Sequence, residues 1–230
     1  FIGDAETQVN VSLGIEHFDR LRGALKAATE RGVRVNLSLH TPDGDPADLP
    51  GPDALAEVCS EARHRRLPSP FVVIVDRTKT CFAPHAGSTN EYGVLVDDRT
   101  HSYVFHWYFL TTQWDTWESI YTSRSDDPPI DYIDIRYCVR DVAPLLRDGA
   151  SVKLRIEGTD TQSGADRVVE GLLSEVIVTG DGAVDAETIA SYGGQVGLIV
   201  ETADGTVEVG GWGAMVEAVE AHQITVEAVD

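Results

Sequence analysis

Lysine is almost missing from this chain: Lys26, Lys79 and Lys153 are the only three in 230 residues, and all cations together number 18 against 38 carboxylates, a net charge of −20. That shortage argues against nucleic-acid binding by the chain's own surface, because affinity for DNA comes largely from Lys and Arg neutralising phosphates. It also points to a solvent. Screening that shortens charge repulsion to roughly 3 Å at 1 M salt lets so acidic a surface stay folded and hydrated, so a halophilic source and salt-dependent folding are expected. Cysteine is scarce too. Cys59, Cys81 and Cys138 are far apart and lack C-x-x-C spacing, which indicates neither a disulfide framework nor a zinc site and fits a reducing cytoplasm. No apolar run approaches the length of a membrane helix, so no membrane partner is expected. The start at Phe1 has neither an initiator Met nor the basic and apolar regions of a signal peptide, and the chain is expected to be a fragment.

Catalytic signatures are absent as well. There is no Walker A loop, no HExxH and no G-x-S-x-G. Phospholipase-D-type chemistry needs His-x-Lys-x4-Asp, with imidazole as nucleophile and lysine on the phosphate, yet none of the seven histidines has Lys two residues later. Where such a motif would sit on a strand the chain reads Val75-Asp-Arg-Thr-Lys79, whose Asp76 and Arg77 suit a polar turn. Gly193-Gly194-Gln195-Val-Gly197 has the glycines of a phosphate loop but is followed by a strand pattern rather than a helix. No catalytic residue, metal site or cofactor is assigned.

What is present divides in two. Residues 7–13 and 33–39 alternate as strands around a helical pattern over 16–31 that places Phe18, Leu21, Leu25 and Ala28 on one face and stops at Gly32. This β-α-β opening calls for both strands in one sheet. A Pro/Gly/Asp loop over 41–52 precedes a helix predicted over 53–65, the apolar strand Phe71-Val-Val-Ile-Val75, and further strands over 79–82 and 92–96. Asp97-Asp98-Arg99 suits the cap of a helix carrying Tyr103, Phe105, Trp107, Tyr108 and Phe109, more aromatics than one face can bury, so a homodimer through this helix is expected. Composition changes at Thr122-Ser-Arg-Ser-Asp-Asp-Pro-Pro129, the expected junction between a domain over 1–121 and one over 122–230. The second half reads as mostly β. A strand over 130–137 and a short helix over 139–147 precede strands over 151–157, 168–178, 195–201, 206–209 and 224–229, with Asp204-Gly205 as a hairpin signal. A small sandwich or barrel-like sheet with one helix is the expected form.

One stretch of that half has the makings of a site. After the alternating Val207, Glu208 and Val209 come Gly210, Gly211, Trp212 and Gly213, and then Glu217. Tryptophan on a glycine-flanked turn offers a flat apolar face, the amides of Gly211 and Gly213 offer donors, and Glu217 offers an acceptor, the set that a pyranose ring with its hydroxyl rim requires. The bland alternative is a core tryptophan closing a turn beside a solvated glutamate.

Three segments together, Ala27-Ala-x-x-Arg-Gly-Val-x-Val35, Val75-Asp76 and Val207-x-Val-Gly-Gly-Trp-x-Ala-x-x-Glu217-x-x-Glu-Ala221, resemble the effector-sensing portion of archaeal TrmB-type sugar-responsive transcriptional regulators over nearly the whole chain. The resemblance implies a catalytically degenerate phospholipase-D-like α/β domain that helps dimerise, followed by a small β domain that binds a mono- or disaccharide at the junction. It also implies that DNA is bound only through an N-terminal winged helix-turn-helix absent from these residues, and that the protein is not an enzyme. Gly211 and Glu217 match the family's glycine backbone and glutamate, while Trp212 and Val216 fall on lining positions. The family's amide falls nearest Gln195, and Ser119 and Ser123 compete for its hydroxyl. A phospholipase-D-type phosphodiesterase and a purely structural dimerisation module are the rival expectations.

Overall fold

Val9, Val11 and Leu13 alternate with Gln8, Asn10 and Ser12, and this period of two is realised as β1 (Gln8–Gly14) in a computed structural model that describes residues 1–42, 44, 48–179 and 188–230. The expected loop over 41–52 therefore lies partly outside the described residues. The chain divides into two units, Phe1–Arg124 and Ser125–Asp230.

In the first unit, Phe18, Leu25 and Ala28 make the buried face of α1 (Phe18–Glu30), and Gly32, at φ 84°, lets the chain turn back into β2 (Arg34–His40), parallel to β1. The helix expected over 53–65 is a single short turn, α2 (Pro52–Ala56), and residues Glu61–Arg65 form strand β3 instead, parallel to β2. Local helical preference loses there to a ladder begun by the Ser60 amide, which donates to Val35 O at 2.8 Å. The strands β4 (Phe71–Val75), β5 (Lys79–Ala83), β6 (Val94–Asp97) and β7 (Glu118–Thr122) complete a seven-stranded sheet in the order β6-β5-β4-β1-β2-β3-β7. Asp76 and Arg77 do form the polar turn, at φ 46° and 61°, and the Asp76 carboxylate accepts from the amides of Glu6, Thr7 and Gln8 at 2.8 to 3.0 Å, pinning the start of β1.

Every residue of β1 is buried, its polar face included, because α3 (Arg99–Tyr108) and a π-helical turn (Phe109–Trp114) belong to the same unit and bond to that side of the sheet. Asn10 Nδ2 meets His106 Nδ1 at 3.3 Å, Thr80 Oγ1 donates to Ser102 Oγ at 2.9 Å, and Ser38 Oγ donates to Gln113 O at 2.6 Å. The helix begins as expected at Asp98, whose side chain accepts from the His101 amide at 2.8 Å.

In the second unit, the strand expected over 130–137 ends early as β8 (Ile130–Tyr132), and α4 (Ile135–Arg147) starts four residues ahead of the predicted helix. Asp134 is the reason: its carboxylate accepts from the Arg136 amide at 2.9 Å, and Ile135, Cys138, Val139, Val142 and Ala143 then recur at helical spacing on the buried face. Strands β9 (Val152–Asp160), β10 (Asp166–Val178), β11 (Val196–Thr202), β12 (Gly205–Gly210) and β13 (Val219–Val229) run in the order β12-β11-β10-β9-β13-β8, and a further β12–β13 pairing closes five of them into a barrel. Asp204-Gly205 forms the expected hairpin, with Gly205 at φ 123°. At Gly158 a Cβ would lie 2.2 Å from Glu220 O, and at Gly171 another would lie 2.1 Å from Glu201 O, so only glycine lets the neighbouring strands come this close.

Candidate effector site at the barrel seam

The closing pair of the barrel is two residues long, Val209 opposite Val219 and Gly210 opposite Glu220. Between these ends the chain makes the turn that holds most of the expected site. The Ala214 amide donates to Gly211 O at 3.0 Å, a β-turn whose third residue is Gly213 at φ 85°, a conformation that favours glycine. Met215 and Val216 then stand out at 89% and 77% exposure, and Glu217 drops back to 5% before the Ala218 amide donates to Glu208 O at 3.0 Å and β13 begins.

Glu217 is held from three sides. Gln195 Nε2 donates to its Oε1 at 2.8 Å, Thr161 Oγ1 donates to its backbone carbonyl at 2.7 Å, and the carboxylate lies flat against Gly210, where a Cβ would be 2.8 Å from Glu217 Cδ and 2.9 Å from Oε2. Gln195 is itself fixed, its amide donating to Thr179 Oγ1 at 2.9 Å and its carbonyl accepting from the Thr179 amide at 3.0 Å. Among the described residues Oε2 accepts no hydrogen bond, so a nearly buried carboxylate keeps one oxygen for another donor. Gly211 serves packing as well: a Cβ there would come within 2.5 Å of Ile135 Cγ2 at the start of α4. Beside it, Arg136 donates to Tyr192 O at 3.2 Å and faces the Asp134 carboxylate at 3.4 Å, a buried ion pair at the base of the turn.

The expected site residues are thus treated unequally. Gln195 and Glu217, 22 positions apart, are brought into direct hydrogen bonding, and Gly211 adjoins them through the turn. Trp212 is 6% exposed, so its ring is packed inside rather than presented as an open stacking face, and Val216 points to solvent at the tip. Ser119 belongs to the first unit, exposed on β7 opposite Arg63, and Ser123 follows that strand, donating to Ser60 O at 3.0 Å. Reading the sequence missed Thr161 and Ile135 and gave Gly210 no contact of its own. Gly210 stands inside the motif, but Thr161 and Ile135 come from a β9–β10 turn and a helix start that nothing local to the motif announces.

Two family models match the chain, the N-terminal subdomain of the effector-binding domain of transcriptional regulator TrmB over residues 1–121 and the TrmB/TrmBL1 C-terminal subdomain over 127–229. Together they define the class, an effector-binding domain of a transcriptional regulator in two subdomains. The chain belongs to the TrmB family. No curated protein matches it. Among solved structures it is similar to TrmBL2, an archaeal chromatin protein, at 19% identity and a TM-score of 0.42 over 52% of this chain and 47% of that one, so it spans less than half of that relative's length. It is also similar to Nuc, a phospholipase D family member from Salmonella typhimurium, at 18% identity and a TM-score of 0.38 over 53% of this chain and 86% of that one.

Proposed function

We propose that this chain is the effector-sensing region of a sugar-responsive transcriptional regulator, which binds a mono- or disaccharide at the turn between β12 and β13. The observation that carries the reading is the Glu217 carboxylate, nearly buried, oriented by Gln195 and with Oε2 left to accept from a ligand hydroxyl. Sugar binding then biases the arrangement of the domains, and through it a DNA-binding domain outside these residues; a ligand with equal affinity for both arrangements would regulate nothing. Trp212 joins the site only if the turn opens, and Val216 and Met215 are apolar contacts already at the surface. No active phosphodiesterase is proposed, since the His-x-Lys-x4-Asp pattern has no counterpart in the chain.

Calorimetry with glucose, maltose and sucrose tests the proposal, and silence across all three would leave a structural module or another metabolite. Glu217→Gln keeps the shape but removes the charge, and loss of a charge-assisted hydrogen bond worth roughly 1.5 to 3 kcal/mol should weaken binding by about one to two orders of magnitude. Unchanged binding at an unchanged melting temperature would sink the site.

Homodimerisation belongs to the same proposal. It is supported by α3, whose inner side is polar while Val104 is 64% exposed and Tyr103, Phe105, Trp107 and Tyr108 are only half-buried. Sedimentation at micromolar concentration in high salt should give a dimer, and Val104→Glu should shift it towards monomer; wild type sedimenting as a monomer would refute this part.

A further inference from the structure

Nearly every cation of this acidic chain is answered. Arg22 and Lys26 meet Glu57, Arg34 meets Glu61, Arg155 meets Glu157 and Glu170, and Arg167 meets Asp160. Among the described residues the side chains of Arg20, Arg65 and Arg66 have neither an ion pair nor a hydrogen bond, although carboxylates outnumber cations 38 to 18. All three guanidinium groups are exposed and open to an outside ligand. All three line cavities of the first unit, Arg20 one of about 460 Å³ with His17 and His85, and Arg65 and Arg66 one of about 540 Å³ with His64, Thr116 and Trp117.

The topology places both cavities at one end of the sheet. Strands β1, β2 and β3 are parallel, so Gly14, His40 and Arg65 lie at the same, carboxyl end of the ladder. β5 runs back to that end, carrying Ala83 towards His85, and β7 starts there, with Glu118 opposite His64. Ligands of open α/β sheets sit outside the carboxyl ends of the strands. The larger cavity has an apolar wall of Leu49, Trp117 and Ile120, and a single carboxylate, Glu118, against the two arginines. Behind it His40 is 4% exposed, its ring edge-on to Trp117 with centroids 6.4 Å apart, and its buried Nδ1 has no hydrogen-bond partner among the described residues. His64, also buried, uses Nε2 on Thr41 Oγ1 at 2.8 Å. Two arginine forks beside an apolar wall fit the oxygens of a phosphoryl group, which guanidinium binds in two-pronged fashion.

We infer that the carboxyl end of the first unit's sheet is a binding site for a phosphoryl group, with Arg65 and Arg66 as its ligands. This site is separate from the Glu217 turn and takes a different class of ligand. Equilibrium titration of the full chain with inorganic phosphate, glucose 6-phosphate and glucose, at fixed pH and ionic strength in high salt, tests it. The Arg65→Gln/Arg66→Gln double variant should weaken phosphate or glucose 6-phosphate binding by about ten- to a hundredfold and leave any glucose binding untouched. The charge-matched control Arg22→Gln/Lys26→Gln should keep wild-type affinity. Tighter binding of glucose 6-phosphate than of phosphate identifies a sugar phosphate as the occupant, and equal binding identifies free phosphate. Failure of wild type to bind either at millimolar concentration, or equal weakening in both double variants, overturns the inference.

Discussion

Helices α3 and α4 begin alike and dock in opposite ways. Each starts at an aspartate whose carboxylate accepts a backbone amide of the first turn, and each lies on the sheet of its own unit. α4 turns Ile135, Cys138, Val139 and Val142 inwards. α3 turns Ser102 and His106 inwards, meets Thr80 and Asn10, and leaves its aromatic rings at the periphery, where Phe105 packs on Phe82 with centroids 5.4 Å apart. The barrel is therefore held by apolar burial and close approach of strands. The polar side of the first unit's sheet is held by directional bonds, and Ser12 Oγ, Asn36 Oδ1, His40 Nδ1 and Gln113 Oε1 lie buried there without partners among the described residues. A fold can spend its hydrophobic residues outside when hydrogen bonds register the inside, and those outer rings become available for association.

The most damaging way to sharpen this contrast is Gly158→Ala. With Glu220 O only 2.2 Å from the new Cβ, and backbone rather than a flexible side chain in the way, we expect the barrel to lose about 3 kcal/mol, the top of the usual range for overpacking. At roughly 4 to 8 °C per kcal/mol for a domain of this size, its melting transition should fall by about 12 °C or more, while hydrogen exchange in β1 and β2 stays as it was. A smaller effect is expected from Ser102→Ala, which leaves the buried Thr80 hydroxyl without its acceptor and should cost the first unit about 1 to 2 kcal/mol. Were this change neutral, polar docking of α3 would be the wrong account.

Acid should separate the units more gently. Burial pushes His40 from its ordinary 6.5 down to about 4, opposed by Glu16 and reinforced by His17, His85 and His64. The unfolded chain then takes the proton first, so the stability due to neutral His40 is whole above pH 6.5 and is lost as pH falls towards 4. Asp160, held by the Ser163 amide and hydroxyl and by Arg167, is lowered from 3.8 to about 2, so its contribution persists above pH 3.8 and goes only as pH falls towards 2. Amide protection should therefore decline in β1 and β2 before it declines in β9 and β13, and His40→Gln should remove the earlier step. Simultaneous loss in both units would contradict the ordering.

Much of this was legible in the sequence where periodicity and turn chemistry agree: the β-α-β opening, the Asp98 cap and the Asp204-Gly205 hairpin. It failed where two patterns overlap. Ile130-Asp-Tyr-Ile-Asp-Ile135 has the β-branched and aromatic residues of a strand, yet Asp134 is a cap and the helical spacing of Ile135, Cys138, Val139 and Val142 runs on from it. Glu61–Arg65 carries no strong strand residues and is a strand because β2 offers it an edge. In the candidate site the motif named Glu217 and Gly211, and the family resemblance added Gln195, but the burial of Trp212 depends on packing that no spacing rule encodes.

The two-pair seam between β12 and β13 makes the barrel mechanically uneven. Its neighbouring wall, β13 against β9, is stitched at nine positions from Val219–Asp160 to Val229–Val152, whereas the seam has only the pairs Val209–Val219 and Gly210–Glu220 and, just before them, the bond from the Ala218 amide to Glu208 O. A tug on Glu217 is thus borne by the most compliant joint in the ring, one residue from where it fastens, and the turn acts as a lever on that joint rather than as an ornament on a rigid cylinder.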